Sequence, residues 1–341
     1  MKRPYRLGYA LCILAVLLSG CTPNVLGRST KSARLPLTVC YSSISAPQIA
    51  PIFAAEKGIF AKYGLDVTLV YVDGGTTAVT TLLSGEIDIC QVSGAPVMNA
   101  VVAGEDLVLI AGLFNRYAYA LMVTPDIEST ANLKGKALAI SSPGSSSDSA
   151  LRTLLLTLGL EPDKDVAILS VGNQGSRLAA MESGAIAGTL VSVPESVKAR
   201  EAGYRELANM LKSDIPYPHN AIATRRSFLN ENRDATTRYL QAIIEAITFM
   251  KADKEGTIAA LAGFLELAPE ADRLSLEEAY NVFVRDGLAS IPYSTVEGVQ
   301  SQLDAMTAEN PNAANFTATD MIDDTLLAEI EASGFLNQIT P

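Results

Sequence analysis

One pattern recurs 99 residues apart and limits the folds open to this chain. Ser84-Gly85-x-Ile87 returns as Ser183-Gly184-x-Ile186, Val92-Ser93 as Val191-Ser192, Gly104 as Gly203, and Ser42-Ser43 as Ser141-Ser142, with Gly74 matched to Asn173. The first copy is clearest from Val72 to Gly94. A strand ends near Val72, and Gly74 and Gly75 let the backbone turn sharply. Thr76 is placed to cap a helix whose Val79, Leu82 and Leu83 share one face, and Gly85 ends it in the left-handed conformation. Ile87 to Val92 then reads as a buried strand running into Ser93-Gly94. Strand, small polar loop, helix and glycine are thus written twice in one order, which predicts α/β architecture in two similar lobes. Each lobe presents polar loops at the carboxyl ends of its strands, where open α/β sheets bind ligands and helix N-termini offer free N–H groups.

The breaks around Thr124-Pro125-Asp126 and Ser213 to Pro218 fall at either end of the second copy. The expected organisation is a lobe one of residues 36–123 and 216–341, and a lobe two of 124–215. Each is a doubly wound sheet, and the pair is joined by two hinge crossings. Asn220 to Thr224 reads as a return strand. Beyond it the pattern is helical over 233–250, 254–265, 269–283, 294–308 and 319–333. A chain of 341 residues exceeds the size at which a single core stops growing, ~250–300 residues, which agrees with two lobes.

The N-terminus has a separate character. Lys2, Arg3 and Arg6 precede an apolar run from Leu7 to Leu18, shorter than the ~20 residues of a membrane span and suited to a secretory signal over residues 1–20. Leu18-Ser19-Gly20-Cys21 resembles the lipobox of bacterial lipoproteins, which implies lipidation of Cys21 and a polar tether over 21–35. More than one acyl chain makes such an anchor stable. The expected location is extracytoplasmic, on the bacterial cell membrane.

Without Lys2, Arg3 and Arg6, the 26 basic residues fall to 23 against 37 acidic ones. A chain this acidic is a poor partner for nucleic acid. Cys12 leaves with the signal and Cys21 takes lipid. Cys40 and Cys90 remain, each within an apolar strand, and both a pair of thiols and a disulfide stay open. One His and no cysteine cluster supply no ligand set for zinc, and His219 has no local partners for a nucleophilic triad. No metal, cofactor or enzyme activity is expected.

A further set of residues resembles a known family. Ala54-Ala55-Glu56-Lys57-Gly58-Ile59-Phe60, Tyr63-Gly64-Leu65-Asp66-Val67, Gly74-Gly75, Leu83 to Asp88 and Leu133-Lys134-Gly135-Lys136 are similar to solute-binding proteins of ABC importers. The branch is the one that takes up nitrate, alkanesulfonates, taurine and thiamine pyrimidine precursors. The resemblance runs from about Leu37 to the C-terminus. It implies the two-lobed type II periplasmic-binding-protein fold, a monomer that closes on a small solute, and a permease with its ATPase as partners. Carried over residue by residue, the family's binding positions fall at Ser42, Ser43, Gly75, Thr76, Ser93, Gly94, Ser142, Ser145, Ser146, Ser192 and Glu195. Gln48, Asn115 and His219 are lesser candidates. The loops are rich in Ser, Thr, Gly and Asn. With Arg116 and Arg177 as the nearest cations, and Arg177 in a helix's first turn where it can face solvent, they suit a ligand no more negative than −1 with a hydrogen-bond donor. Glu195 either faces the cleft, favouring N–H groups on the ligand, or marks an outer rim for permease docking. Two other functions compete: a solute-sensing lipoprotein partner of a membrane signalling protein, and a pyrimidine-making enzyme of the same superfamily. The cysteine-rich cluster of that enzyme branch has no counterpart here.

Overall fold

The structure is a computed structural model and describes residues 34–340, apart from 214 and 309. The expected signal, the lipidated Cys21 and all of the tether before Arg34 lie outside the described residues. In chain order the first series is β1 (Leu35–Tyr41), α1 (Ile49–Glu56), α2 (Ile59–Lys62), β2 (Leu65–Tyr71), α3 (Gly75–Ser84), β3 (Ile89–Val92), α4 (Gly94–Val102) and β4 (Leu107–Arg116). The second is β5 (Ala120–Val123), β6 (Ala137–Ile140), α5 (Ser146–Thr157), β7 (Ala167–Ser170), α6 (Gln174–Glu182), β8 (Gly188–Val191), α7 (Glu195–Glu201) and β9 (Arg205–Asn209). The return is β10 (Pro216–Arg225) followed by α8 (Arg226–Glu231), α9 (Arg233–Ala252), α10 (Lys254–Phe264), α11 (Arg273–Ala279), α12 (Val296–Met306), α13 (Ala318–Met321) and α14 (Thr325–Ala332).

The strands form two five-stranded sheets, ordered β2-β1-β3-β10-β4 and β7-β6-β8-β5-β9. The repeat survives folding. β3 and β8 begin 99 residues apart, at Ile89 and Gly188, as do α3 and α6, at Gly75 and Gln174. In each sheet the fourth position is held by an antiparallel strand, β10 between β3 and β4 and β5 between β8 and β9.

That strand corrects the expected boundary. The sequence reading puts residues up to 123 in lobe one, but β5 pairs with β8 and β9 of the second sheet. The reason is topological: each sheet fills its fourth position with the strand that follows a crossing. The chain therefore changes sheets between Arg116 and Ala120, and again between Asn209 and Pro216. β1 likewise starts at Leu35, inside the expected tether. The helix expected over 319–333 is broken between α13 and α14, where Ile322 bridges Leu109 and Asp323 donates its N–H to Leu109.

Alternation along β1 serves both faces of the first sheet. Val39 packs with α1 and with Leu240, Ile243, Ile244 and Ile247 of α9, whose spacing gives one apolar helical face. Cys40 faces Leu82, Met98 and Leu303 on the other side. Its register partner is Cys90, and the two form a disulfide with Cα atoms 4.5 Å apart. At the matching place in the second sheet, Thr189 Oγ1 donates to the carbonyl of Ala139 at 2.9 Å.

Candidate functional site: a cleft between the two sheets

The carboxyl ends of both sheets' parallel strands face one cavity of about 80 Å³. From the first lobe come Ser42, Ser43 and Ser45 after β1, Gln48 on a short 3₁₀ turn, Asp73 to Gly75 after β2, Ser93 after β3, and His219 and Asn220 of β10. From the second come Tyr119 before β5, Ser141 and Ser145 to Ser147 after β6, Asn173 and Gln174 after β7, Arg177 of α6 and Ser192 after β8. Gly74, Ser93, Ser145 and Asn173 are the N-cap residues of α3, α4, α5 and α6. Four helix N-termini therefore converge on this space, each with a partial positive charge.

The serines are held by one another and by the backbone. Ser43 and Ser45 hydroxyls lie 2.8 Å apart, Ser145 and Ser147 hydroxyls 3.1 Å apart, and Gln48 Nε2 donates to Ser42 Oγ at 3.3 Å. Gln174 Oε1 accepts from the Ser192 N–H at 2.6 Å. Five lining side chains still keep a buried polar atom with no protein partner: Gln48 Oε1, Arg177 Nε, Ser192 Oγ, His219 Nδ1 and Asn220 Oδ1. Buried polar atoms are seldom left unpaired, so this concentration marks a surface shaped for something else.

Arg177 overturns the solvent-facing reading of its helix position. It is 2% exposed, and two of its nitrogens donate to the carbonyls of Gly172 and Leu190, each at 2.9 Å. Burial pulls its pKa down to about 10, still far above neutrality, so the cavity wall carries a cation. Asp73 opposes it from the first lobe and accepts from Asn173 Nδ2 at 3.4 Å. His219 sits among aromatic rings, with Tyr119 4.7 Å, Phe114 6.0 Å and Tyr217 6.1 Å away. Burial pushes its pKa down to about 3, so it presents a neutral imidazole at pH 7.

Of the residues singled out from sequence, Ser42, Ser43, Gln48, Gly75, Ser93, Ser145, Ser146, Ser192 and His219 lie on this wall. Five do not. Thr76 and Ser142 meet at the rim, their hydroxyls 3.3 Å apart across the cleft. Gly94 makes a close approach instead, since a Cβ there would collide with the ring of Pro218. Asn115 ties β4 to a distant segment, donating to the Tyr293 carbonyl at 2.8 Å. Glu195 lines an adjoining chamber. Sequence reasoning missed Arg177, Asp73, Tyr119, Gln174 and Asn220. The repeat did carry a signal for one of them, because Gln174 aligns with Gly75, next to the Asn173–Gly74 match already noted.

Comparison with known proteins agrees with this architecture. The alkanesulfonate-binding protein of Xanthomonas axonopodis pv. citri superposes with a TM-score of 0.70 at 19% identity, covering 84% of this chain and 96% of that one. The periplasmic nitrate-binding protein of Synechocystis gives 0.69 at 17%, covering 90% and 91%. These likenesses show the two-lobed α/β fold of periplasmic binding proteins. A Brucella abortus protein named as a binding protein is 28% identical over 233 residues, which are 67% of this chain and 70% of the relative. Residues 32–266 match the NMT1-like family, and the chain belongs to it.

Proposed function

We propose that the protein is the extracytoplasmic solute-binding component of an ABC importer. It captures a small organic anion, such as a sulfonate, a carboxylate or an acidic pyrimidine-like molecule, and delivers it to a membrane permease. The observation that carries this reading is the cavity itself. Two lobes joined by two crossings enclose it, four helix N-termini and the buried Arg177 make one wall positive, and five lining groups wait for polar partners. The named functions of the alkanesulfonate- and nitrate-binding neighbours support the choice of an anion. No step of bond making is needed. The neutral His219, ringed by aromatics, serves as part of the floor.

Arg177 revises the charge argument made from the loops alone. It supplies the cation that those loops lack and favours one anionic group on the ligand. A thermal-shift screen of alkanesulfonates, nitrate, aromatic carboxylates and pyrimidines tests the reading. A ligand at ~100 times its dissociation constant adds ~2.7 kcal/mol to stability. At least one anionic compound is expected to raise the melting temperature; stabilisation by neutral or cationic compounds alone would overturn the assignment.

A further inference from the structure

We propose that a second compartment of the cleft selects solutes carrying a protonated amine, or a ring N–H, at the end remote from their anionic group. This rests on the anion-binding reading of the main cavity. The compartment holds about 190 Å³ and shares Ser43, Asn173 and Gln174 with that cavity, so one molecule can reach from one to the other. Its remaining wall combines apolar side chains with a carboxylate. Ile44 and Tyr71 are large apolar groups left 42% and 39% exposed, and Leu265 lies beside them. Glu195 completes the wall.

Glu195 is the informative residue. Its Oε2 is buried and has no hydrogen-bond partner, while its Oε1 stands 4.0 Å from Lys198 Nζ, beyond hydrogen-bond reach. Burial is the largest influence on its carboxyl and raises its pKa above the usual carboxylate value, while its own backbone N–H, Lys198 and Arg177 act against that and favour the ionised form. A buried carboxylate oxygen without a donor is costly unless a donor arrives with the ligand. An ammonium or ring N–H would supply that donor. The two compartments then present opposite charge, with Arg177 and the helix N-termini at one end and Glu195 at the other. Ile44, Tyr71 and Leu265 lie where an apolar spacer would pass. A dipolar solute is held in one direction only and leaves neither charge uncompensated when the cleft closes.

The test uses matched pairs of carboxylates and sulfonates of two to six carbons, with and without a terminal amine, titrated calorimetrically into the wild-type protein and E195Q at pH 7.5. The aminated member of at least one pair is expected to bind at least tenfold tighter to the wild type. In E195Q that preference should vanish while affinity for the plain anion stays within about threefold. Equal binding of both members of every pair, or an equal loss of both in the variant, overturns the second compartment and leaves the anion site standing. Failure of every compound to bind removes the anion reading, and the compartment with it. The wild-type comparison decides the matter even if E195Q folds poorly, and the variant's near-ultraviolet circular dichroism shows whether it does.

Discussion

Arg177 performs two tasks that can be separated by substitution. Its guanidinium holds the carbonyls of Gly172 and Leu190, which shape the loop after β7 and the end of β8, and it charges the cavity wall. R177M should therefore weaken binding of an anionic ligand by roughly 10–100-fold, from the ~1.5–3 kcal/mol of a charge-assisted hydrogen bond, and should also lower stability. R177K should recover part of the affinity. Calorimetry beside a urea melt reads both effects, and unchanged anion affinity in R177M would take the residue out of the site. His219 gives a pH signature. Its folded pKa of about 3 lies below its ordinary 6.5, so the unfolded chain binds a proton that the folded one refuses. Its stabilising effect is complete above pH 6.5 and declines as pH falls toward 3, by ~2 kcal/mol between pH 6.5 and 5. Denaturant midpoints at pH 7.5 and 5 should show that loss in the wild type and much less of it in H219Q; equal losses would mean that other groups dominate. The serines of this site could be read from sequence because small polar residues before a helix mark an N-cap. Arg177 could not, because a charged residue in a first helical turn faces solvent unless the fold draws it inward, and the Gly172 and Leu190 carbonyls that do so here are brought to it only by the tertiary structure.

At the scale of elements, what the repeat encodes is the order of strands and loops, and this could be read directly. β3 and β8, and α3 and α6, start where the offset of 99 places them. The pairing of β5 could not, since four consecutive buried residues, Ala120 to Val123, fit the interior of either sheet equally well. The same limit left the cysteines open, because strand pattern alone does not reveal which strands are neighbours. β1 and β3 turn out to be adjacent and in register at Cys40 and Cys90. Their bond closes a loop of sequence separation 50 in a place where the second lobe makes do with the Thr189 hydrogen bond to Ala139. Removing it in C40A/C90A should cost roughly 2–4 kcal/mol, mostly by freeing the unfolded chain. A melting temperature matching the wild type would show that the cross-link contributes nothing under those conditions.

For the whole molecule, the lobes are tied by contacts of unequal strength: away from the cleft Arg200 of α7 pairs with Glu278 of α11 at 2.8 Å and Ser149 of α5 donates to Gln302 of α12, while the contacts at the cleft itself are long. Across the cleft, Thr76 meets Ser142 at 3.3 Å, Asn99 Nδ2 donates to the Gly144 carbonyl at 3.3 Å, and Ala46 donates its N–H to the Val193 carbonyl at 3.5 Å. Contacts so near the limit of a hydrogen bond hold weakly, so under the proposed function they are the first to break when the lobes part. The lipid anchor proposed at Cys21 should be independent of this machinery. C21S is expected to leave the folded protein's melting temperature unchanged and to move it into the soluble fraction; a variant that still sediments with membranes after a high-salt wash would refute the lipid anchor. The place of β10 in the first sheet has a consequence in time. It lies between β3 and β4, which come more than a hundred residues earlier in the chain. A chain made from its N-terminus must hold β4 without its central neighbour until the whole second lobe has emerged. That lobe has every strand of its own sheet in one uninterrupted run, from β5 to β9. The lobe inserted in the middle of the sequence can thus be finished first, and the one that begins the sequence is completed last.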